Sequence, residues 1–304
     1  MLPPDSRGMG RVHAFTVDLE EYFQVAALEP RIPRSTWEDE AEEGGEVPWP
    51  SRVEEPCDLL LGMLADHGAR ATFFILGWVA RRHPELIRRI AREGHEIASH
   101  GWSHRRVSEM TPDAFRQETM RTKAVLESLS GAAVTGYRAA SFSIGPREGW
   151  ALSILAETGH RYSSSIAPIQ HDHYGWPEAS RHPWRPVADG PLEIPPAVVE
   201  LGGRRWPVGG GGFFRFWPYP LFRGAWRRLE RREDHPSVFY CHPWELDPDQ
   251  PLPEGLPWKN RWRHTLNLGR ARSRMERLLG DFRWGRMDET FAPWIAGERE
   301  APRG

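Results

Sequence analysis

The sequence predicts an α/β fold whose strands run parallel. Between residues 12 and 166, short apolar runs typical of buried strands alternate with segments in which apolar residues recur at helical spacing. This alternation indicates βαβ units, because parallel strands need a crossover connection that is usually a helix. Residues with reactive side chains also follow several predicted strands, where parallel folds build their sites. These patterns fit both an open sheet and a barrel.

The predicted elements follow one another closely along the chain. Apolar runs predict strands at residues 12–17, 71–76, 96–98, 134–137, 162–166 and 237–241. Helical spacing predicts helices at residues 53–66, 84–94, 111–131, 150–157, 219–232 and 268–280. Thr111 and Pro112 supply the N-cap and the N1 proline of the third helix, which ends near Gly131.

The regular alternation ends near residue 167. Beyond it Pro, Gly and Trp residues crowd the chain, with four consecutive glycines at 209–212. No repeat and no long low-complexity linker separates this part from the rest. Because single α/β barrels of about 250 residues are common, we expect residues 1–304 to form one domain.

The composition excludes several classes of protein. The formal net charge is -2, so no overall field attracts nucleic acid. Cys57 and Cys241, the only cysteines, are too far apart in sequence to indicate a disulfide framework or a cysteine-based metal site. The first residues lack the apolar run of a signal peptide, and the apolar stretch at 71–80 is too short to span a bilayer. We therefore expect a cytoplasmic protein with no transmembrane segment and no nucleic-acid partner.

Two histidines define the candidate site. His100 and His104 lie four residues apart, directly after the third predicted strand, and such spacing recurs in zinc sites. Asp18 and Glu20 follow the first strand and are two residues apart, so they share one side while the strand persists. Two imidazoles and one carboxylate leave coordination positions open, as hydrolytic metal centres need, and the second carboxylate is free to act as a base.

Arg138 and His242 follow two further predicted strands. In a barrel the carboxyl ends of the strands converge, so residues more than two hundred positions apart in sequence can share one cavity. A non-haem iron oxygenase also uses two histidines and one carboxylate and is an alternative at this point. That class normally has an all-β fold and needs no acid–base pair beside the metal.

Four motifs resemble those of the polysaccharide deacetylases, the NodB-homology proteins of carbohydrate esterase family 4. They occur in the order of that family, at residues 16–20, 99–104, 136–141 and 239–243. The resemblance covers roughly residues 12 to 290 and is greatest for the subgroup associated with exosortase and extracellular-polysaccharide gene clusters. It implies an irregular (β/α) barrel with a deacetylase core at about 12–250. A Trp-, Gly- and Pro-rich C-terminal extension at about 167–300 would complete and decorate that barrel.

The resemblance implies a metal site made by three side chains. His100 and His104 match the two histidine ligands of the family. The usual motif of the first strand has two adjacent aspartates, but Leu19 occupies the second position here. Some branches use an Asp-x-Asp pair instead, which fits Glu20 as the third ligand. Glu21 is a weaker candidate, because strand alternation points its side chain away. The implied cofactor is one divalent ion, for which we expect zinc.

The resemblance also implies the catalytic roles. Asp18 matches the base that activates water, and Arg138 matches the arginine that orients this carboxylate. His242 matches the histidine that protonates the departing amine, and the backbone N–H of Ser141 matches the oxyanion donor. The implied reaction is metal-dependent hydrolysis of N-acetyl groups on hexosamine units of a polysaccharide or its lipid-linked precursor. The expected partner is an N-acetylated glycan, and the subgroup implies contact with membrane-associated polysaccharide assembly machinery.

Three positions depart from the family pattern. Besides Leu19, Ala140 replaces the usual proline, and Ser163 stands where relatives commonly have an aspartate that tunes the catalytic histidine. These departures leave open a non-catalytic protein that binds polysaccharide on a deacetylase scaffold. Metal-independent hydrolysis of a cyclic amide is a third alternative, against which the retention of His100 and His104 argues.

Overall fold

The computed structural model describes residues 10–38, 48–171 and 174–299. Its strands are β1 (Val12–Leu19), β2 (Thr72–Ile75), β3 (Glu96–Ser99), β4 (Gly136–Tyr137), β5 (Tyr162–Ser163), β6 (Leu192–Glu193), β7 (Val198–Leu201), β8 (Arg204–Pro207), β9 (Val238–Cys241) and β10 (Arg283–Gly285). Its helices are α1 (Glu54–Asp66), α2 (Gly77–Arg82), α3 (Pro84–Arg92), α4 (Pro112–Ser130), α5 (Trp150–Glu157), α6 (Gly211–Phe216), α7 (Tyr219–Arg232), α8 (Trp258–Thr265), α9 (Leu268–Asp281), α10 (Met287–Thr290) and α11 (Ala292–Ile295).

Eight of these strands form one parallel sheet. The strand order is β10-β1-β2-β3-β4-β5-β6, and β9 pairs with β1. The segment that follows β6 reaches β9 at Ala197, whose backbone N–H donates to the Val238 carbonyl at 3.1 Å. The sheet thus curls into an irregular barrel with helices around it. The predicted α/β class with parallel strands is confirmed.

Strand β1 lies at the centre of this arrangement. Every residue from His13 to Leu19 is buried, as expected for a parallel strand covered on both faces. Asp18 pairs with Phe74 of β2, which pairs in turn with Ala98 of β3. Because these registers keep the carboxyl ends of the strands level, the loops that follow them meet at one edge of the sheet.

The hydrophobic core joins the two ends of the chain. Phe15 of β1 packs against Phe239 of β9 and Trp284 of β10, at ring-centroid distances of 5.2 and 5.5 Å. Trp226 of α7 covers the same group and donates its indole N–H to the Val208 carbonyl at 2.8 Å. The C-terminal elements therefore pack directly on the first strand.

The longest helices agree with the sequence pattern. Helix α4 begins after Thr111, whose hydroxyl accepts from the Ala114 N–H at 3.2 Å, and it ends at Gly131, where φ is 69°. None of the described helices has both the length and the apolar composition needed to cross a bilayer.

The shortest strands differ from the prediction. The strand predicted at 162–166 covers only Tyr162 and Ser163. The serines that follow leave the ladder, because Ser164 accepts two hydrogen bonds from Arg138 and the Ser165 hydroxyl accepts from the Ala139 N–H. The strand predicted at 134–137 is likewise reduced to its last two residues.

Candidate active site

The reactive residues named from the sequence meet at the carboxyl edge of the sheet. Asp18 is near the end of β1, and Glu20 is the first residue after it. His100 directly follows β3, Arg138 directly follows β4, and His242 directly follows β9. The loop after His100 returns His104 to the same place. The structure therefore brings all six side chains of the candidate site together.

Glu20, His100 and His104 form a group that could hold a metal ion. One ligand atom from each lies within 4.8 Å of the other two. Nε2 of His104 is 2.9 Å from Oε2 of Glu20, yet this buried oxygen has no hydrogen-bond partner. An unpartnered buried carboxylate oxygen is costly in a protein interior. A bound cation would satisfy it, so this donor set fits a divalent metal.

Neighbouring groups orient two of the three ligands. Nδ1 of His100 is 2.8 Å from the Arg138 carbonyl, which fixes Nδ1 as the donor and leaves Nε2 free to bind a metal. Oε1 of Glu20 accepts from the indole N–H of Trp244 at 3.1 Å. Such outer contacts hold metal ligands in position before the ion arrives.

The protonation states suit metal binding. Burial alone would raise the pKa of Glu20, but the adjacent His104, His242 and His100 outweigh it and lower this pKa to about 2. Burial lowers the pKa of His100 to about 4 despite the nearby carboxylates. Near neutral pH the group therefore offers an ionised carboxylate and a neutral imidazole, the forms that bind metals.

Arg138 holds Asp18 rigidly. The arginine side chain is fully buried, and its Nη1 donates to Oδ1 of Asp18 at 2.6 Å. Its remaining donors reach the hydroxyl of Thr16 and the hydroxyl and carbonyl of Ser164, at 2.9 to 3.2 Å. The guanidinium also lies 4.1 Å from the ring centroid of Phe74. These contacts fix the guanidinium of Arg138, which in turn fixes the direction in which the Asp18 carboxylate points.

His242 lies beside the carboxylates of Asp18 and Glu20. Its Nε2 is 3.9 Å from Oδ2 of Asp18 and 3.7 Å from Oε1 of Glu20. Its ring stacks on that of Trp244, with centroids 5.1 Å apart and planes inclined by 22°. One edge of His242 thus faces both carboxylates, and the position of the ring is fixed by an aromatic neighbour.

Glu245 lies beside the other nitrogen of His242. Its Oε2 is 3.4 Å from Nδ1 and accepts from the His242 backbone N–H at 3.1 Å. Burial alone would lower the pKa of His242, but the contact with Glu245 and the charges of Glu20, Glu245 and Asp18 raise it to about 9. His242 is therefore an imidazolium near neutral pH.

Arg215 supports Glu245 from helix α6. Its Nε donates to Oε1 of Glu245 at 2.7 Å, and both side chains are buried. Burial alone would raise the pKa of Glu245, but Arg215 and His242 lower it to about 2. The guanidinium also donates to the His264 and Leu266 carbonyls, at 2.8 Å each.

The backbone is unusual at two positions of the site. His104 and Ser141 have φ angles of 55° and 53°, in the left-handed region that residues with a Cβ rarely adopt. Such conformations cost of order 1–3 kcal/mol and concentrate at functional sites. Both residues line one pocket, together with Phe23 and Trp37. This pocket therefore borders His104, one of the three candidate metal ligands.

Two known families match separate parts of this chain. Residues 48–162 match the family described as polysaccharide deacetylase. This chain contains a polysaccharide deacetylase domain. A second match, to a domain of unknown function (DUF3473), covers residues 164–292. The deacetylase match thus includes His100, His104 and Arg138, while the second match includes His242, Glu245 and Arg215.

Individual relatives agree with the deacetylase domain. A peptidoglycan-N-acetylglucosamine deacetylase of Bacillus cereus is 38% identical over 72 residues, which are 24% of this chain and 26% of that protein. A chitooligosaccharide deacetylase of Rhizobium leguminosarum bv. trifolii is 38% identical over 69 residues, which are 23% of this chain and 32% of that protein. The chain therefore matches about a quarter to a third of the length of these curated relatives.

A solved structure supports the fold. A crystal structure from Mycobacterium smegmatis, whose protein is described as a polysaccharide deacetylase, aligns with a TM-score of 0.62 and 22% identity. The alignment covers 100% of this chain and 96% of that one. At this identity the likeness establishes the shared architecture.

Residues that depart from the usual deacetylase motifs have clear positions. Leu19 is fully buried in the main core, as strand alternation requires for a residue between Asp18 and Glu20. Glu21 accepts hydrogen bonds from Ser51 and the Arg52 backbone and is not a member of the Glu20–His100–His104 group.

The serine at the usual aspartate position makes a different contact. The Ser163 hydroxyl donates to that of Ser165 at 2.8 Å. In this chain the carboxylate beside Nδ1 of His242 belongs to Glu245, which lies in the region of the second match. Sequence reasoning missed Glu245, although its position three residues after His242 forms a capping-box spacing that could have indicated it.

Proposed function

We propose that the protein hydrolyses N-acetyl groups of a hexosamine-containing glycan, with a zinc ion bound by Glu20, His100 and His104. The observation that carries the proposal is the position of Asp18 and His242. Both side chains lie beside the Glu20–His100–His104 group, and Nε2 of His242 is 3.9 Å from Oδ2 of Asp18. A base and an acid beside one candidate metal site suit a reaction that removes a proton from water and delivers one to an amine.

The metal would act as a Lewis acid in the reaction. When bound, a divalent ion polarises an acetyl carbonyl and lowers the pKa of bound water from 15.7 towards about 7. The protein residues do the rest. Asp18 accepts a proton from the attacking water, and Arg138 fixes the carboxylate through the 2.6 Å contact to Oδ1. Oδ2 is thereby left as the oxygen that faces the reacting water.

Departure of the amine needs a proton. The C–N bond of an amide breaks readily only after its nitrogen has been protonated, and His242 presents Nε2 to the space beside Asp18. Water adds to the acetyl carbon, the backbone N–H of Ser141 donates to the developing oxyanion, and His242 protonates the nitrogen. The products are acetate and a free sugar amine.

The names of the relatives suggest two substrate classes to test. One matched relative is a peptidoglycan-N-acetylglucosamine deacetylase and another is a chitooligosaccharide deacetylase. Both names contain or imply N-acetylated hexosamine units. The expected cytoplasmic location and the expected link to exopolysaccharide assembly stay predictions, to be tested by cell fractionation and by the glycan composition of a deletion strain.

The experiment measures acetate released from chitooligosaccharides and from peptidoglycan fragments. We expect activity in the zinc-loaded protein, loss of activity after chelation, and recovery when zinc is returned. Asp18→Asn and His104→Ala should each reduce the rate at least a hundredfold, while His67→Ala, an exposed histidine outside the site, should not. A zinc-loaded wild-type protein that binds these glycans but releases no acetate would instead indicate a non-catalytic binding protein.

A further inference from the structure

A second group of metal-binding side chains lies at the opposite edge of the sheet. His182 is between β5 and β6, while Glu233 and His235 are in the short connection from α7 to β9. One ligand atom from each lies within 4.8 Å of the other two. Because His235 precedes β9, this group is at the amino edge of the strands, away from the deacetylase site.

The ligand atoms of this group converge. Nδ1 of His182 is 2.7 Å from Nε2 of His235 and 3.5 Å from Oε2 of Glu233. Nε2 of His235 is 3.8 Å from the same carboxylate oxygen. In a tetrahedral zinc site with bonds of about 2.0–2.1 Å, neighbouring ligand atoms are about 3.3 Å apart. The separations of the three ligand atoms, 2.7, 3.5 and 3.8 Å, lie on both sides of the value of about 3.3 Å.

Outer contacts hold the ligands in this orientation. Nδ1 of His235 is 2.7 Å from the Pro236 carbonyl, so Nδ1 is the donor and Nε2 carries the free lone pair. Oε1 of Glu233 accepts from Nη1 of Arg181 at 2.7 Å, which directs Oε2 towards the histidines. Metal-binding histidines and carboxylates in proteins have such partners on the atom that does not bind the metal.

The backbone of the group is also fixed. Nη1 of Arg11, just before β1, donates to the Glu233 and His235 carbonyls at 2.6 and 2.8 Å. The side chains of His182, Glu233 and His235 are only 14%, 12% and 7% exposed. The group is thus nearly buried and preformed, yet it keeps a narrow access to solvent.

We infer that His182, Glu233 and His235 bind a second divalent transition-metal ion, with zinc as the ion that the nitrogen and oxygen donors suit best. The inference does not depend on the proposed deacetylase reaction. The amino edge of parallel barrels contributes to stability and not to catalysis. The ion would therefore tie the segment between β5 and β6 to the connection that leads into β9.

Metal stoichiometry tests this inference. The protein is stripped of metal, dialysed against a small excess of zinc and analysed for bound ions per chain. We expect two ions in the wild type and one in the His100→Ala/His104→Ala variant, whose deacetylase site cannot bind. Adding His235→Ala to that variant should reduce the count to zero, and adding His67→Ala instead should leave it at one.

Two measurements keep the test decisive if His235→Ala does not fold. His182→Gln, at the most exposed of the three ligands, should also abolish the remaining ion. Zinc should raise the unfolding temperature of the His100→Ala/His104→Ala variant and leave that of its His182→Gln derivative unchanged. If the His100→Ala/His104→Ala variant binds no zinc, the three side chains form only a hydrogen-bonded cluster and the inference is wrong.

Discussion

Glu245 lies against His242, with Oε2 3.4 Å from Nδ1 and the other carboxylate oxygen held by Arg215. The three side chains form a buried chain of charges that begins in helix α6 and ends at the proposed acid. Arg215 is 30 positions before Glu245. The region beyond residue 167 therefore contributes directly to the site and does more than cover it.

We predict that Glu245→Gln lowers kcat by about tenfold to a hundredfold and changes KM little. Removing a carboxylate within about 4 Å of a histidine lowers the pKa of that histidine by about 1–3 units. The pKa of His242 is raised to about 9, so the basic limb of the pH–rate profile should move to lower pH. Acetate release measured from pH 6 to 10 provides the check.

Two controls separate this effect from a loss of folding. Glu254→Gln changes an exposed carboxylate of the same region and should leave the profile unchanged. Arg215→Met/Glu245→Gln removes both buried partners and should be more stable than Glu245→Gln, since no guanidinium is left without its carboxylate. A basic limb that stays in place in Glu245→Gln would show that Glu245 has no influence on the acid.

Trp244 contacts the candidate ligand Glu20 at Oε1, whereas His104 lies beside Oε2. Its indole N–H donates to Oε1 of Glu20 at 3.1 Å, while its ring stacks between His242 and His264. Trp244→Phe keeps an aromatic ring but removes the donor. We expect the metal affinity of the deacetylase site to fall about tenfold to a hundredfold.

Competition with a chromogenic chelator measures this affinity. Trp206→Phe serves as the matched control, because Trp206 is partly exposed and distant from Trp244 in sequence. Measuring both in the His235→Ala background would keep the inferred second site from contributing. An unchanged affinity in Trp244→Phe would mean that the indole has only a packing role.

Arg138 is the arginine on which the proposed base depends. Lysine cannot reach Asp18, Thr16 and Ser164 at once, because it has one donor group in place of a planar fork. We expect Arg138→Lys to lower kcat about a hundredfold to ten-thousandfold. Each buried acceptor left without a donor should also cost about 1–3 kcal/mol of the free energy of unfolding.

A double variant identifies the cause of that loss. If Arg138 acts through Asp18, Asp18→Asn/Arg138→Lys should be no slower than Asp18→Asn alone in the acetate assay. Urea denaturation of the same set reports stability independently. Additive losses in rate would contradict a positioning role and would indicate that Arg138 contacts the substrate itself.

Local pattern predicts much of this protein from sequence. The first strand, the His100–His104 segment and helix α4 are each encoded within a few residues, by apolar periodicity, ligand spacing and a capping residue. The parallel order of the strands follows from their alternation with helices. For these reasons the class of fold and the six side chains of the candidate site could be named before the structure was known.

Contacts between distant segments could not be predicted in this way. The strand predicted at 162–166 stops after Ser163, because the next serines bind Arg138 and Ala139, which follow strand β4. Arg215 lies in a glycine- and aromatic-rich segment with no clear helical period, and nothing local pairs it with Glu245. The group of His182, Glu233 and His235 likewise exists only because the barrel brings together His182 and His235, which are 53 positions apart.

Buried Glu96 makes the stability of the protein depend on pH. Burial, and then the charge of Asp288, raise the pKa of Glu96 to about 8. Its carboxyl group contacts the Thr72 and Tyr162 hydroxyls at 2.5 and 2.7 Å. In the unfolded chain it has an ordinary pKa near 4.5. Between about pH 4.5 and pH 8 the folded state therefore retains a proton that the unfolded chain has released.

The sign of the effect follows from linkage. Stability due to this group is complete below about pH 4.5 and is lost as pH rises towards 8, at up to about 1.4 kcal/mol per pH unit. Glu96→Gln mimics the protonated acid, so its free energy of unfolding should fall less steeply between pH 5 and 8. Urea denaturation at several pH values measures both slopes, with the exposed Glu85→Gln as the control.

Because Glu193, whose pKa burial raises to about 7, adds a slope of the same sign, part of the pH dependence should survive in Glu96→Gln. A slope identical to that of the wild type would show that Glu96 is ionised in the folded protein.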